Sequence, residues 1–259
     1  MDPVLEARGL IKRFAAIQVL HGVNVQLRAG EVVGYLGPNG SGKSVTTRVL
    51  TGLIEPSAGT VSYHGRNIHA DLVEFRRHVG YVPEEPHLYP FLTGREYLQL
   101  VGRLRQLDDD LLERKIAALL ELFGLAYAAD KPMSEYSKGM KQKVLISAAL
   151  LHDPDLLILD EPESGLDVTS ILVLRHLIRL LADRGKAILY SSHLLEAVEK
   201  VCHRVIVIHQ GRVVADDSID QLGTLMRTRS LEETFAQLVT KDDPIETARA
   251  IADVSAQIA

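Results

Sequence analysis

The chain contains one cysteine, Cys202, in 259 residues. That excludes an internal disulfide framework and is compatible with a reducing compartment. No apolar run approaches the ~18–20 residues needed to span a bilayer. The first residues, Met1-Asp2-Pro3-Val4-Leu5-Glu6, show no basic-then-apolar leader pattern. The expectation is a cytosolic chain, or one held at a membrane only through a partner. A basic excess is missing too: the net charge is −5. Sequence-independent nucleic-acid binding needs many phosphate-neutralising Lys and Arg, so no nucleic-acid partner is expected. Repeats and low-complexity tracts are absent as well. With 46% hydrophobic residues, the chain can build a real core, as one large domain or two small ones.

What is present is most informative at Gly37-Pro38-Asn39-Gly40-Ser41-Gly42-Lys43-Ser44. The run fits the phosphate-loop template G-x-x-x-x-G-K-[ST]. Val32-Val33-Gly34-Tyr35-Leu36 reads as a strand leading in, and Val45 to Leu53 as a helix leading out. Glycines let the backbone curl so that successive N–H groups face one anion. The helix N-terminus adds partial positive charge. Lys43 supplies a point charge for the outer phosphates, and the Ser44 hydroxyl suits Mg²⁺.

The chain on either side reads as strands alternating with helices, with a helical stretch between. Val23 to Leu27, Gly59 to Gly65 and His78 to Pro83 read as strands or a strand and turn. Thr93 to Arg105, Asp108 to about Phe123, and Ser137 to Leu151 read as helices, with carboxylates at Asp108 to Asp110 starting the second. Asp155-Leu156-Leu157-Ile158-Leu159-Asp160 reads as a buried strand. Ser170 to Asp183 follows as a helix with Leu174, Leu177, Ile178 and Leu181 inward. Then come a strand at Ala187 to Ser191, a helix at Leu194 to Val201, and a hairpin around Gln210-Gly211. Such alternation implies a mainly parallel sheet with helices on its faces.

The apolar strand ending in Asp160-Glu161 adds chemistry. Asp160 is placed to hold Mg²⁺ through its water shell, and Glu161 to orient and deprotonate an attacking water. Together with Tyr136-Ser137-Lys138-Gly139-Met140, Ser164-Gly165-Leu166-Asp167, and His193 after the next strand, these motifs resemble an ATP-binding cassette (ABC) ATPase. The resemblance runs from about Leu5 to Val214. It implies an α/β fold: a phosphate-loop NTPase (RecA-like) core, an antiparallel β subdomain and an inserted α-helical subdomain. The core would span residues 1–84 and 153–217, the helical signature subdomain 85–152, and a C-terminal helical tail 218–259. It further implies ATP and Mg²⁺ as ligands. Phe14 would lie against adenine. Gly37 to Ser44 and Val45 would bind the nucleotide, and Ser44, Glu84 and Asp160 the metal. Glu161 and the switch His193 would be catalytic. Ser137, Lys138, Gly139 and Met140 would cap the nucleotide of a second cassette in trans, next to the D-loop Ser164 to Asp167. The partners implied are a second cassette, identical or not, and separate transmembrane permease subunits. The location implied is the cytoplasmic face of the cell membrane.

The sequence departs from the family pattern in places. Glu84 stands at the Q-loop position, usually glutamine; Val45 replaces a frequent threonine; Lys138 and Met140 replace Gly and Gln; Glu163 stands where Thr or Ser is common. Glu84 to Tyr89, the signature run and Ser230 to Phe235 resemble cassettes of the ABC-2 exporter type. The alternative is a soluble ABC ATPase acting on a nucleic-acid or ribosomal partner. Against it stand the short interval between phosphate loop and signature, with no sustained heptads, the single phosphate loop and the acidic charge. A third reading, a non-ABC phosphate-loop kinase or GTPase, is opposed by the signature run, by His193 and by the lack of an Asn-Lys-x-Asp guanine-reading motif. Lys43→Ala removes a charge-assisted phosphate contact. Isothermal titration and a phosphate-release assay are expected to show ATP affinity or turnover lower by roughly 10- to 100-fold; both unchanged would refute the assignment.

Overall fold

The computed structural model describes residues 2–86, 88–193 and 195–226, together with Phe235 and Arg249. Two sheets form its frame. β1 (Leu5–Phe14), β2 (Ile17–Leu27), β4 (Ala58–Tyr63) and β5 (Arg66–Asn67) make an antiparallel sheet in the order β2-β1-β4-β5. β3 (Val32–Leu36), β6 (Val79–Val82), β7 (Leu156–Asp160), β8 (Ala187–Ser191), β9 (Arg204–His209) and β10 (Arg212–Ser218) make the second, ordered β10-β9-β3-β8-β7-β6. Its first five members in chain order pair in parallel, and β10 closes one edge antiparallel to β9. The helices are α1 (Lys43–Leu50), α2 (Leu72–Arg77), α3 (Gly94–Leu104), α4 (Asp109–Leu122), α5 (Lys138–Leu150), α6 (Val168–Asp183), α7 (Leu195–Val201) and α8 (Ile219–Met226).

Strand alternation sorts the core into layers. In β3, Val33 and Tyr35 face the antiparallel sheet, joining Leu5, Val25 and Leu50. Val32 and Leu36 point the other way, against α6 and α7 through Leu174, Ile178 and Val198. Every residue of β3, β7 and β8 is buried, as a parallel sheet covered on both faces requires. Tyr63 on β4 donates its hydroxyl to Asp155, just before β7, at 2.5 Å and so ties the two sheets together. A third core, built from Leu98, Leu112, Ile116, Met133 and Val144, holds α3, α4 and α5 together. α5 serves two cores: Val144 and Ala148 enter the helical one, Leu145, Ile146 and Ala149 the sheet one.

Local chemistry explains the helix ends. Thr93 and Glu96 form a reciprocal capping box on α3. Asp108 caps α4 and Asp167 caps α6, each accepting from an amide three residues on. α6 therefore begins at Val168, ahead of the expected Ser170, because Asp167 is its cap. Leu177 and Leu181 are only half-buried on it, and the inward face is Leu174, Ile178 and Ala182. β1 escapes a reading by alternation, since register shifts between Ala7 and Arg13 break its pattern. Of the run Ser230 to Phe235, all but Phe235 lies outside the described residues, as do most positions after Met226. Among the described residues no helix is long and apolar enough to cross a membrane.

His152 gives the fold a pH dependence. Its Nε2 donates to Val79 O at 3.1 Å, while the buried Nδ1 has no partner. Burial, with Arg105 and Lys115 close by, pushes its pKa down from 6.5 to about 4, opposed by the hydrogen bond to Val79 O and then by Asp153. The folded state thus resists a proton that the unfolded chain accepts. Its contribution is complete above about pH 6.5 and is lost as pH falls toward 4. Urea midpoints are expected to fall between pH 7 and pH 5, and His152→Gln to reduce that fall. An equal fall in both proteins would refute this origin.

Candidate nucleotide site

Gly42 begins the site. It precedes α1 with φ of 108°, a left-handed conformation that a side chain would strain. No side chain caps α1, so its first amides are open to an anion. The Lys43 side chain folds back along the loop: 8% exposed, its Nζ donates to Gly37 O at 2.6 Å and Pro38 O at 3.3 Å. Ser44 donates from Oγ to Glu84 Oε2 at 3.2 Å. The loop is thereby joined to the segment that follows β6.

The carboxylates arrive from β7. Thr47 on α1 donates from Oγ1 to Asp160 Oδ2 at 3.1 Å. Asp160 Oδ1 is buried without a partner. Burial raises the Asp160 carboxyl above the usual range, with Glu84 adding to it, against hydrogen bonds that favour the charge. Glu161 is also raised, first by burial, with His193 and Lys43 opposing. His193 Nδ1 lies 2.7 Å from Glu161 Oε2; a carboxylate only accepts, so that nitrogen carries the proton.

A cleft of about 500 Å³ opens beside these groups, with Asp160 and Thr47 buried outside its lining. Asn39, Gly40, Gly42, Lys43, Ser44 and Val45 line one side, and Glu84, Glu161 and His193 the other. Val19 of β2 supplies an apolar wall. Phe14 is not among the lining residues; it is exposed at the end of β1, with the Lys12 ammonium over its ring at 5.1 Å. Ser137, Lys138, Gly139 and Met140 do not line the cleft either. Ser137 accepts from Met140 N at 3.2 Å and caps α5. A Cβ on Gly139 would come within 2.4 Å of Gly165 O, so only glycine permits α5 to start this close to the loop of Ser164 to Asp167. The Lys138 stem lies over Gly165, and Lys143 sits 3.6 Å from Asp167.

The donor set fits a hydrated divalent ion shared with a nucleotide. A hydroxyl, a carboxylate and the free Oδ1 of Asp160 surround one end of the loop. Among the described residues no group of three His, Cys, Asp or Glu side chains could hold a metal unaided. An ion here would complete its shell with oxygens from water and from phosphates. Three features escaped sequence reading: the Thr47 bond to Asp160, the buried Gln142 beside Pro162, and an ion pair between Glu163 and Arg175. None has a spacing signature, because each pair meets only through the fold.

Comparison with known proteins agrees with this geometry. Residues 20–164, more than half of the chain, match the family described as ABC transporter. The chain is 37% identical over 230 residues to the uncharacterized ABC transporter ATP-binding protein YhcH of Bacillus subtilis, covering 86% of this chain and 74% of that one. It is 38% identical over 212 residues to the Nod factor export ATP-binding protein I of Burkholderia lata, covering 82% and 70%. A solved structure described as the ATP binding subunit of an ABC transporter superposes with a TM-score of 0.85 at 36% identity, covering 91% of this chain and 99% of that one. With the phosphate loop, Glu84, Glu161 and His193 lining one cleft, the chain belongs to the ABC transporter family as an ATP-binding cassette.

Proposed function

We propose that this cassette hydrolyses ATP to drive export through separate membrane subunits. The observation that carries it is the 2.7 Å contact between Glu161 and His193 at the wall of the phosphate-loop cleft. A basic carboxylate beside an imidazole at this place serves attack by water on a γ-phosphorus. Glu161 takes a proton from the water as its oxygen bonds to phosphorus. The bond to the bridging oxygen of ADP breaks, and inorganic phosphate leaves. Lys43 and the amides of the loop hold the transferred charge, and His193 holds Glu161 and the γ-phosphate in line. Ser44, Glu84 and Asp160 would hold Mg²⁺, which when bound neutralises triphosphate charge. Phe14, exposed at the end of β1, is open to stacking on the base.

The signature residues lie outside the chain's own cleft, which supports a head-to-tail pair. Ser137 and the Gly139 amide, at the start of α5, would meet the γ-phosphate of a partner cassette. The exporter assignment draws on the Nod factor export relative and on the ABC-2 resemblance. On this reading the chain works at the cytoplasmic face of a membrane, through its partner.

The segment from Glu84 into α3 is the proposed docking surface. Of its apolar residues, Leu88 and Leu92 pack inward on the helical core. Tyr89 and Phe91 remain 52% and 73% exposed with rings 5.9 Å apart. Exposed aromatics in a loop suit a partner helix, and Glu84 connects this segment to Ser44.

Glu161→Gln keeps shape and removes the base. ATP binding is expected to persist while turnover drops by about 10²-fold or more, and size-exclusion chromatography with ATP should show a lasting dimer. Near-normal hydrolysis would refute the assignment of Glu161. Tyr89→Cys, with Cys202 replaced, is expected to crosslink to a membrane protein when the genomic neighbours are co-expressed. Absence of any membrane crosslink, with and without ATP, would remove the docking surface.

A further inference from the structure

Glu161 has a φ of 49°, a left-handed value that strains a residue with a Cβ. The turn it opens is held from three sides. The Glu161 amide donates to Ser191 O on β8 at 2.9 Å, and Ser164 N donates to Glu161 O at 3.1 Å. Gln142 of α5, itself buried, donates to Pro162 O at 3.1 Å. Arg175 of α6 grips Glu163 with two bonds, Nε to Oε1 at 2.7 Å and Nη2 to Oε2 at 2.9 Å. Leu166 N donates to Glu163 O at 3.1 Å and closes the turn.

Glu163 is 6% exposed and is two residues from the proposed base. A buried carboxylate is costly unless a partner meets it with good geometry, and the parallel fork is the geometry that fixes orientation as well as charge. An apolar residue would fill the same space without aiming it. We infer that Arg175, acting through Glu163, is a positioning residue that sets the Glu161 carboxylate and the D-loop relative to the phosphate loop. This rests on the proposed role of Glu161. The fork also links the turn to α6, while Gln142 links it to the signature helix. The base is therefore clamped between the helix that caps a partner's nucleotide and the helix that carries the D-loop forward.

The test compares Arg175→Met, Glu163→Gln and the double variant Glu163→Met/Arg175→Met in the full chain. Arg175→Met strands a buried charge and is expected to lower both melting temperature and kcat. Glu163→Gln keeps the shape and should fold if Arg175→Met does not. The double variant strands no charge, so its melting temperature is expected to return to within about 3 °C of the parent. Its kcat is expected to stay at least about tenfold low, with ATP affinity within about twofold of the parent. Amide exchange at Ser164 and Leu166 is expected to be about tenfold faster in the double variant, with β7 unchanged. Parent kcat and parent exchange in the double variant would overturn the inference and leave the pair a packing feature. Failure of the ATPase reading is distinguishable: the parent would not hydrolyse ATP, or Glu161→Gln would, while the exchange comparison still decides whether the fork holds the turn.

Discussion

The parallel alignment of β6, β7, β8 and β3 is the constraint on which the rest of this molecule depends. Parallel strands place all their carboxyl ends on one edge, and helices or loops must leave from there. Here β3 runs into the phosphate loop, β6 toward Glu84, β7 into Asp160 and Glu161, and β8 toward His193. The pairing of Asp160 with Ser191, and of Tyr35 with Ser191, sets the register. A slip of one residue would turn the Asp160 side chain to the opposite face of the sheet. The burial of every residue in β3, β7 and β8 makes such a slip costly, because apolar side chains on both faces would have to move.

That same burial shapes the electrostatics. Asp160 and Glu161 sit at the end of an apolar strand, where little water reaches them. Desolvation raises both carboxyls, and a raised carboxyl is a better proton acceptor. Lys43 and His193 offset part of the cost. The site holds its acids near a cation that donates to the loop carbonyls of Gly37 and Pro38. A triphosphate entering the cleft meets open amides at α1 and an ammonium held at the loop, which would exchange its carbonyl partners for phosphate oxygens.

The helical layer is joined to this edge at a few named points. α5 contributes to two cores; its start packs on Gly165, and its Gln142 reaches Pro162. Movement of α5 would therefore be felt at the turn carrying Glu161. On the other side, Glu84 and the exposed Tyr89 and Phe91 share one short segment. These are discrete contacts between packed bodies, the kind of element through which a nucleotide and a docked partner bias one another.

Much of this was legible in residues alone. The phosphate loop, Asp160-Glu161 and the strand–helix alternation are local patterns whose chemistry depends on neighbours in sequence. The antiparallel strand β1 was not, since its bulges erase the alternation that reveals a strand. Nor could composition say that Leu88 and Leu92 turn inward while Tyr89 and Phe91 stay out, or that Val19 lines the cleft and Phe14 does not. Thr47 meets Asp160 across 113 residues, and Arg175 meets Glu163 across a turn and a helix start. The sequence by itself determined the kind of chemistry, through a glycine-rich anion loop and a carboxylate pair at a strand end. Only the tertiary structure decided which side chains hold those groups in place, because buried charges are satisfied by whatever the packing brings within reach, and packing is not written in spacing.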